Sequence, residues 1–289
     1  MPDILQDVST IPTTARLTGK VHRVLGMNPS AFTGPGTNTY LVGMDGGDPA
    51  LIDTGSGKPE WAALLRGYLE ETQAPPIARC LMTHGHVDHV SGVPDVATLA
   101  PGASFHKLPW PGNGDANPQG SQTLSDGDVV QGEGYTLRAV YTPGHAPDHL
   151  CFYLEEEKAL FSGDVILGVG TTVIPRESGD LGDYLASLRR LQGLDLERIY
   201  PGHGPVIEDP QAKIAFYIEH RLEREAQILD GLAGGARSIP ELVAVIYRNY
   251  PSNLHAAAGQ SVGSHLDKLE KEGRVTRDEG DPDRYARTA

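Results

Sequence analysis

Short apolar runs that end in small or polar residues recur along the first two thirds of the chain. The runs TYLVG, ALIDTG, CLMTHG, TLRAVYTPGH and ALFSGDVIL are rich in β-branched residues and end at or near Gly, Pro, Asp or His. Runs of this length bounded by turn formers are typical of strands. Two stretches, residues 58–72 and 181–194, instead show the helical spacing of apolar residues. The pattern predicts a layered α/β arrangement.

The pattern changes after YPGHGPVIEDP, where helical segments dominate. Residues 211–233 predict a long helix, and Ser238 is a suitable cap for the helix that SIPELVAVIYRNY predicts. A third helix has its apolar residues on one face and ends at Gly273 before a short strand; the apolar residues are Val262, Leu266 and Leu269. These elements predict a small C-terminal domain.

Length and charge support a division into two regions. A chain of 289 residues can form one large domain and a small one. We place the domains at residues 1–211 and 212–289, which carry net charges of −13 and −1. The larger region therefore exerts no long-range attraction on a polyanion such as RNA.

The N-terminal segment and the cysteines bear on the compartment. The first 20 residues lack a basic start followed by an apolar run, and no stretch reaches the ~18 apolar residues of a membrane helix. Cys80 and Cys151 lie in apolar runs without CxxC spacing, which favours buried thiols over a disulfide. We therefore expect a cytoplasmic protein without a membrane segment.

Three of the eleven histidines fall in the sequence THGHVDH, at 84, 86 and 89. His84 and His86 are two residues apart after an apolar run, so both side chains can face one cation. Asp88 and His89 follow after the chain turns and need not reach the same ion. The spacing indicates a metal site.

Three more apolar runs end in a ligand-type residue, namely His145 in TPGH, Asp164 in SGD and His203 in PGHG. All three could gather at one sheet edge with the THGHVDH residues. Histidine and carboxylate bind zinc at about 2.0–2.2 Å, and pairs of metal ions are common in hydrolytic sites. A carboxylate such as Asp164 is suited to bridge two ions.

These motifs, with LIDTG upstream, resemble the metallo-β-lactamase superfamily. The segments GTNTYLVG, GDVILGVGTTV and YPGHGPVI and the C-terminal region resemble its β-lactamase-like-protein-2 group, which includes an animal mitochondrial endoribonuclease and fungal polyketide thioesterases. The resemblance implies a four-layer αββα sandwich followed by a small winged-helix-like domain.

The resemblance also implies the ligand set. His84, His86 and His145 would hold one zinc ion and Asp88, His89 and His203 the other, with Asp164 between them; Asp53 would orient a ligand from behind. Mn and Fe are alternative metals. His149, four residues after His145, is expected to be a supporting group rather than an eighth ligand. Surface or packing roles are expected for the other histidines, which are His22, His106, His220, His255 and His265.

Two metal ions would lower the pKa of a shared water toward ~7, with Asp88 or Asp164 as proton acceptor. We expect a hydrolase acting on a small thioester or ester. The alternative is a single-stranded RNA endonuclease; the acidic charge of residues 1–211 disfavours it. β-Lactam hydrolysis ranks lower because true β-lactamases of this fold lack an aspartate at the position of Asp164. A metal-stabilised regulator ranks lower too, since a two-metal set exceeds what a structural site requires.

Two further segments have less specific signals. The loop WPGNGDANPQG (110–120) either walls a substrate pocket or is an ordinary surface loop. The near-neutral C-terminal region suits a structural role or a homodimer contact at least as well as nucleic-acid binding.

Overall fold

The computed structural model describes residues 11–114, 116–249, 251–252 and 255–288. The first half of the 20-residue N-terminal stretch considered above therefore lies outside the described residues. The backbone contacts divide the chain into two compact units. The first unit comprises the residues up to Thr142, Asp148–Thr171 and Leu194–Gln211, and the second comprises Pro143–Pro147, Thr172–Gly193 and the residues from Ala212 onward. The proposed boundary at 211/212 stays a prediction.

The first unit contains a seven-stranded mixed sheet whose spatial order follows the chain. Its strands are β1 (Thr14–Arg16), β2 (Val21–Leu25), β3 (Asn38–Val42), β4 (Ala50–Ile52), β5 (Arg79–Leu81), β6 (Ser104–Lys107) and β7 (Gln122–Thr123). Pairing is antiparallel from β1 to β4 and parallel from β4 to β7. The α-helices among the described residues of this unit are α1 (Pro59–Glu71), α2 (Val87–Val90) and α3 (Val93–Leu99), and a 3-10 helix spans Glu155–Glu157.

A second sheet of five strands has the order β12-β11-β10-β9-β8. Its strands are β8 (Val129–Gly132), β9 (Tyr135–Tyr141), β10 (Leu150–Leu154), β11 (Ala159–Gly163) and β12 (Arg198–Pro201). Only the β11–β12 pair in this sheet is parallel. A parallel pair brings both carboxyl ends to the same edge.

Alternation along β3 explains how the first unit is packed. Tyr40 joins the core formed with residues of the five-stranded sheet, such as Phe152. Leu41 points to the other face and packs with Trp61 of α1. Successive strand residues face opposite sides, so a strand buried on both faces has a continuous apolar sequence. The central strands β4 and β11 show this, since they are buried at every position and have the sequences ALI and ALFSG.

Within its described residues, the second unit contains four α-helices and a two-stranded sheet. They are α4 (Leu181–Gln192), α5 (Pro210–Gly231), α6 (Ile239–Ile246), α7 (His255–Lys271), β13 (Val275–Asp278) and β14 (Arg284–Arg287). Ser238 caps α6 through a capping box with Glu241, as the sequence predicts. The residues Val262, Leu266 and Leu269 are buried in the core of this unit. Gly273 has a φ of 70° after the end of α7, which favours glycine at this position.

Cys80 and Cys151 are buried free thiols. This agrees with the buried thiols that the sequence pattern favours. Among the described residues, no helix combines the length and the apolar character needed to cross a bilayer.

Candidate metal centre

The seven-stranded sheet places Asp53 beside the start of the THGHVDH sequence. β4 and β5 are parallel, with Ile52 opposite Leu81, so the residues that follow them lie side by side. Asp53 has a φ of 60°, a left-handed conformation that Asp and Asn adopt more readily than most residues. Its carboxylate Oδ1 accepts the Thr83 N–H at 2.8 Å. The Asp53 side chain therefore turns back toward the histidine turn.

The five-stranded sheet places Asp164 and His203 together in the same way. Gly163 at the end of β11 pairs with Pro201 at the end of β12, and the Gly202 N–H donates to Gly163 O at 2.8 Å. A Cβ atom added at Gly202 would lie 2.6 Å from Asp164 Oδ1. The PGHG sequence thus needs glycine where the chain passes the carboxylate.

The THGHVDH turn separates two kinds of ligand position. His84 Nε2 and His86 Nδ1 are 2.9 Å apart before the turn. His86 is the N-cap of α2, and Asp88 and His89 lie in that single helical turn. His84 and His89 are fully buried, whereas His86 and Asp88 are half-buried. A site built here has both an interior and an accessible side.

Four ligand-type side chains of the first unit converge: Asp88, His89, Asp164 and His203. His89 Nε2 lies 3.4 Å from both Asp88 Oδ2 and Asp164 Oδ1. His203 Nε2 lies 3.3 Å and 3.2 Å from the same two oxygens. The two nitrogens and the two oxygens therefore alternate around one small space.

The spacing of these atoms fits a divalent cation. Bonds of about 2.1 Å in a tetrahedral arrangement put neighbouring ligand atoms about 3.4 Å apart, and the observed separations are 3.2–3.4 Å. They exceed the ~2.9 Å of an ordinary N–H···O hydrogen bond. Within the described part of the chain, His89 Nε2 is buried and makes no hydrogen bond. Donor type and spacing both suit zinc or a similar metal.

The electrostatics of the four residues favour a cation. Burial by itself would lower the pKa of His203, but Asp164 and Asp88 raise it to about 9. Burial would also lower the pKa of His89, and Asp88, Asp53 and Asp164 raise it well above its usual value. Burial would raise the pKa of the Asp88 carboxyl, but His89 and His203 hold it far below its usual value. A metal ion bound here would displace protons from the imidazoles.

Asp53 orients the His89 ring through a hydrogen bond to its Nδ1. Asp53 Oδ2 accepts the His89 Nδ1–H at 2.7 Å, and Thr83 Oγ1 donates to the same oxygen at 2.9 Å. A neutral ring that donates from Nδ1 carries its lone pair on Nε2. The Asp53 carboxylate therefore selects the form of His89 that can bind a metal through Nε2.

His149 supports Asp164. It is fully buried, its Nδ1 lies 2.9 Å from Thr142 Oγ1, and its Nε2 accepts the Asp164 N–H at 3.1 Å. His149 thus holds the main chain of a ligand-type residue. Its exclusion from the ligand set stays a prediction.

His145 belongs to the second unit. Its Nδ1 lies 2.8 Å from Val173 O and 3.2 Å from Thr172 Oγ1, and it is buried. Its association with His84 and His86 stays a prediction from the sequence.

Sequence reasoning missed several supporting residues. Thr83, which contacts Asp53, could have been found as the polar residue before His84 at a strand end. Thr37 Oγ1 donates to Asp88 Oδ2 at 3.3 Å. Lys107 forms a fully buried ion pair with Asp148, whose carboxylate also accepts a hydrogen bond from the Gly85 main chain. A single lysine in FHKLPW gives no signal of burial.

The remaining predicted features are placed as follows. Trp110 lies beside His86, with ring centroids 5.6 Å apart, and Asn117 Oδ1 accepts its main-chain N–H at 2.7 Å. The loop 110–120, apart from Asp115, which lies outside the described residues, therefore adjoins the histidine turn; a role as a pocket wall stays a prediction. His22 is a buried packing residue, and its Nδ1 lies 2.9 Å from Tyr68 Oη.

This arrangement of two sheets with ligand-type residues at the strand ends defines a class of metal-dependent hydrolase. The model of the metallo-beta-lactamase superfamily matches residues 32–203, and the chain belongs to that family. The model of the beta-lactamase associated winged helix domain matches residues 238–284. The predicted α/β metallo-β-lactamase fold with a C-terminal winged-helix-like domain is confirmed, as is the hydrolase class. The superfamily implies binding of a divalent metal.

Particular relatives refine the comparison. A protein of Aspergillus chevalieri named "Atrochrysone carboxyl ACP thioesterase" is 40% identical over 259 residues, covering 86% of this chain and 80% of the relative. The "Beta-lactamase-like protein 2 homolog" of Drosophila melanogaster is 40% identical over 280 residues, covering 93% and 94%. The crystal structure of a beta-lactamase domain protein from Burkholderia ambifaria has a TM-score of 0.84 at 21% identity, covering 96% of this chain and 95% of that one. The predicted resemblance to this group is confirmed.

Proposed function

We propose that the protein is a dinuclear zinc hydrolase of small acyl thioesters or esters. One ion is held by Asp88, His89 and His203, whose donor atoms have the spacing of a metal site. The other is held by His84 and His86 with His145, which the sequence motif adds. Asp164 would lie between the two groups, since its ligand atom is within 4.8 Å of ligand atoms of both His84, from one group, and His89, from the other.

The chemistry that bound ions supply is acidification of water to a pKa near ~7 and polarisation of a carbonyl oxygen. The protein residues orient and transfer protons. The Asp88 side chain is 19% exposed, against 11% for Asp164, so Asp88 is the more accessible of the two carboxylates. The Thr37 hydroxyl fixes its Oδ2 at 3.3 Å. Asp88 is therefore our choice as proton acceptor, with Asp164 as the alternative.

The acidic charge of residues 1–211 carries the choice of substrate. This region has a net charge of −13, whereas a protein that binds RNA neutralises phosphates with Lys and Arg. A neutral acyl group approaches such a surface without repulsion. The thioesterase named among the relatives supports the same choice.

Cleavage of single-stranded RNA is the second candidate. Its support is the resemblance to the β-lactamase-like-protein-2 group, whose Drosophila member covers nearly the whole chain. A local basic patch would have to overcome the overall charge.

A salt series distinguishes the two substrates. Zinc-loaded protein is assayed with a panel of acyl thioesters of N-acetylcysteamine and with labelled single-stranded RNA, side by side. Thioester turnover should hardly change between about 50 and about 200 mM salt, whereas RNA binding through several phosphates would fall by roughly 10³-fold or more. Efficient RNA cleavage without thioester turnover would reject the acyl proposal.

A further inference from the structure

His145 is held within the second unit by a segment that the C-terminal helices fix in place. The His145 Nδ1–H donates to Val173 O at 2.8 Å, and Thr172 Oγ1 lies 3.2 Å from the same nitrogen. Ligating histidines normally donate their second ring N–H to such a carbonyl, which sets the tautomer and the ring orientation. The position of the Val173 carbonyl therefore decides where the other ring nitrogen points.

Helix α5 binds the main-chain carbonyl on the N-terminal side of Val173. Arg221 Nη2 donates to Thr172 O at 2.5 Å, and the Arg221 guanidinium packs over the Tyr184 ring at 5.4 Å. Arg221 is 3% exposed. A buried guanidinium that binds a main-chain carbonyl in this way restricts the peptide unit between Thr172 and Val173.

Helix α7 binds the main-chain carbonyl on the C-terminal side of Val173. Ser264 Oγ donates to Ile174 O at 2.7 Å. Arg176 forms a two-bond contact with Asp267, at 2.7 Å and 2.5 Å. A Cβ atom added at Gly263 would lie 2.3 Å from Arg176 Cδ, so glycine at this position of α7 leaves room for the arginine. The carbonyls on both sides of Val173 are thus bound by the C-terminal helices.

The main chain of His145 is fixed separately, by α4. Ser187 Oγ donates to Pro143 O at 2.8 Å, and the Asp180 N–H donates to Gly144 O at 2.9 Å. Because α4 already fixes the backbone, the contacts from α5 and α7 act on the ring. These contacts run through the segment Thr172–Ile174, which carries the acceptor of the His145 ring.

We propose that Arg221 and Ser264 are positioning residues for His145, so that the C-terminal helices orient one of the proposed metal ligands. The inference rests on the proposed function only in that His145 ligates a metal ion. It gives the C-terminal region a role that requires no nucleic acid. Loss of a group that orients a ligand typically weakens metal binding by roughly 10–100-fold.

The test measures Zn²⁺ affinity by competition with a chromogenic chelator, which separates the two ions. The variants are Arg221→Gln, which is too short to reach Thr172 O, and Ser264→Ala, which removes one hydroxyl and is the milder change. Arg224→Gln is the matched control. Arg224 lies in the same helix, is 8% exposed, and packs on Tyr247 at 4.1 Å. His145→Ala identifies which ion depends on His145.

We expect Arg221→Gln and Ser264→Ala to weaken the ion that His145→Ala weakens, by roughly 10–100-fold, and to leave the other ion unchanged. Arg224→Gln should leave both ions unchanged. Long-range ¹H–¹⁵N NMR of zinc-loaded protein should show His145 protonated at Nδ1, with that signal broadened or shifted in both variants. Circular dichroism and thermal unfolding confirm that each variant is folded.

Three outcomes overturn the inference: both ions keep their affinity in folded Arg221→Gln and Ser264→Ala, Arg224→Gln weakens the same ion equally, or His145→Ala leaves both ions bound. Failure of the proposed substrate is a separate result. Wild-type protein that binds two ions and hydrolyses no thioester would reject the acyl proposal and leave the positioning role intact.

Discussion

The substitution Asp53→Asn tests how the fold prepares His89 for metal binding. The Asp53 carboxylate accepts three hydrogen bonds, from Thr83 N, Thr83 Oγ1 and His89 Nδ1. Asparagine has nearly the same volume and tolerates the φ of 60° observed here. The substitution therefore changes hydrogen bonding and charge while it spares the backbone. Asp53→Ala would add conformational strain and would be harder to interpret.

The expected magnitude follows from the donors. An amide keeps one acceptor oxygen, which can still receive the Thr83 N–H. Its NH₂ group would face His89 Nδ1 and favour the tautomer with the proton on Nε2, the atom that must bind the metal. Losing one hydrogen bond to a charged group costs about 1.5–3 kcal/mol, which corresponds to a loss of roughly 10–100-fold in affinity. The loss should fall on the ion held by His89 and His203.

The assay is chelator competition with Zn²⁺, together with thioester turnover at saturating zinc. The control is Asp48→Asn, which alters another carboxylate of the first unit. Asp48 accepts the Glu133 N–H at 2.6 Å and pairs with Arg79 at 2.9 Å, and no ligand-type residue of the site is among these partners. If Asp53→Asn binds both ions as tightly as the wild type, the assignment of Asp53 as the group that orients His89 is wrong.

Three further predictions concern the site and the stability of the two units. Asp164→Ala should lower turnover by orders of magnitude and bring the zinc content below two ions per chain, because Asp164 Oδ1 lies close to both His89 and His203. Full activity of the wild type after exhaustive chelation would refute metal dependence. Lys107→Met leaves the buried carboxylate of Asp148 without its cation, so urea unfolding should show a free energy of unfolding lower by about 3–5 kcal/mol. Adding Asp148→Asn to Lys107→Met should restore part of it; equal stability of the single and the double variant would refute the coupling. Burial lowers the pKa of His265 to about 4, below its value of about 6.5 in the unfolded chain, so its stabilising contribution is complete above pH ~6.5 and is lost between pH ~6.5 and ~4, by up to ~3 kcal/mol. The difference in unfolding free energy between the wild type and His265→Gln should therefore shrink on acidification, and a His265 pKa above ~6.5 measured by NMR would contradict this.

The sequence by itself determined the elements and the identity of the ligand-type residues. Helices α1, α4, α5, α6 and α7 fall where apolar spacing and the Ser238 cap predict them, because helix periodicity and capping are local properties. Asp164 and His203 were recognised because each follows an apolar run, and Asp53 through the family resemblance. Parallel pairing brings the ends of neighbouring strands to one edge. The family resemblance then ordered them into a ligand set.

The tertiary structure alone decided which groups contact those residues. The acceptor for His145 is the carbonyl of Val173, and the groups that fix it donate to Thr172 O and Ile174 O. Main-chain carbonyls are common to all residues, so no side-chain pattern marks them. Arg221 and Ser264 lie 49 and 90 residues from the carbonyls they bind, and Lys107 lies 41 residues from Asp148. Such contacts depend on how the chain packs over long sequence separations, which local propensity does not specify.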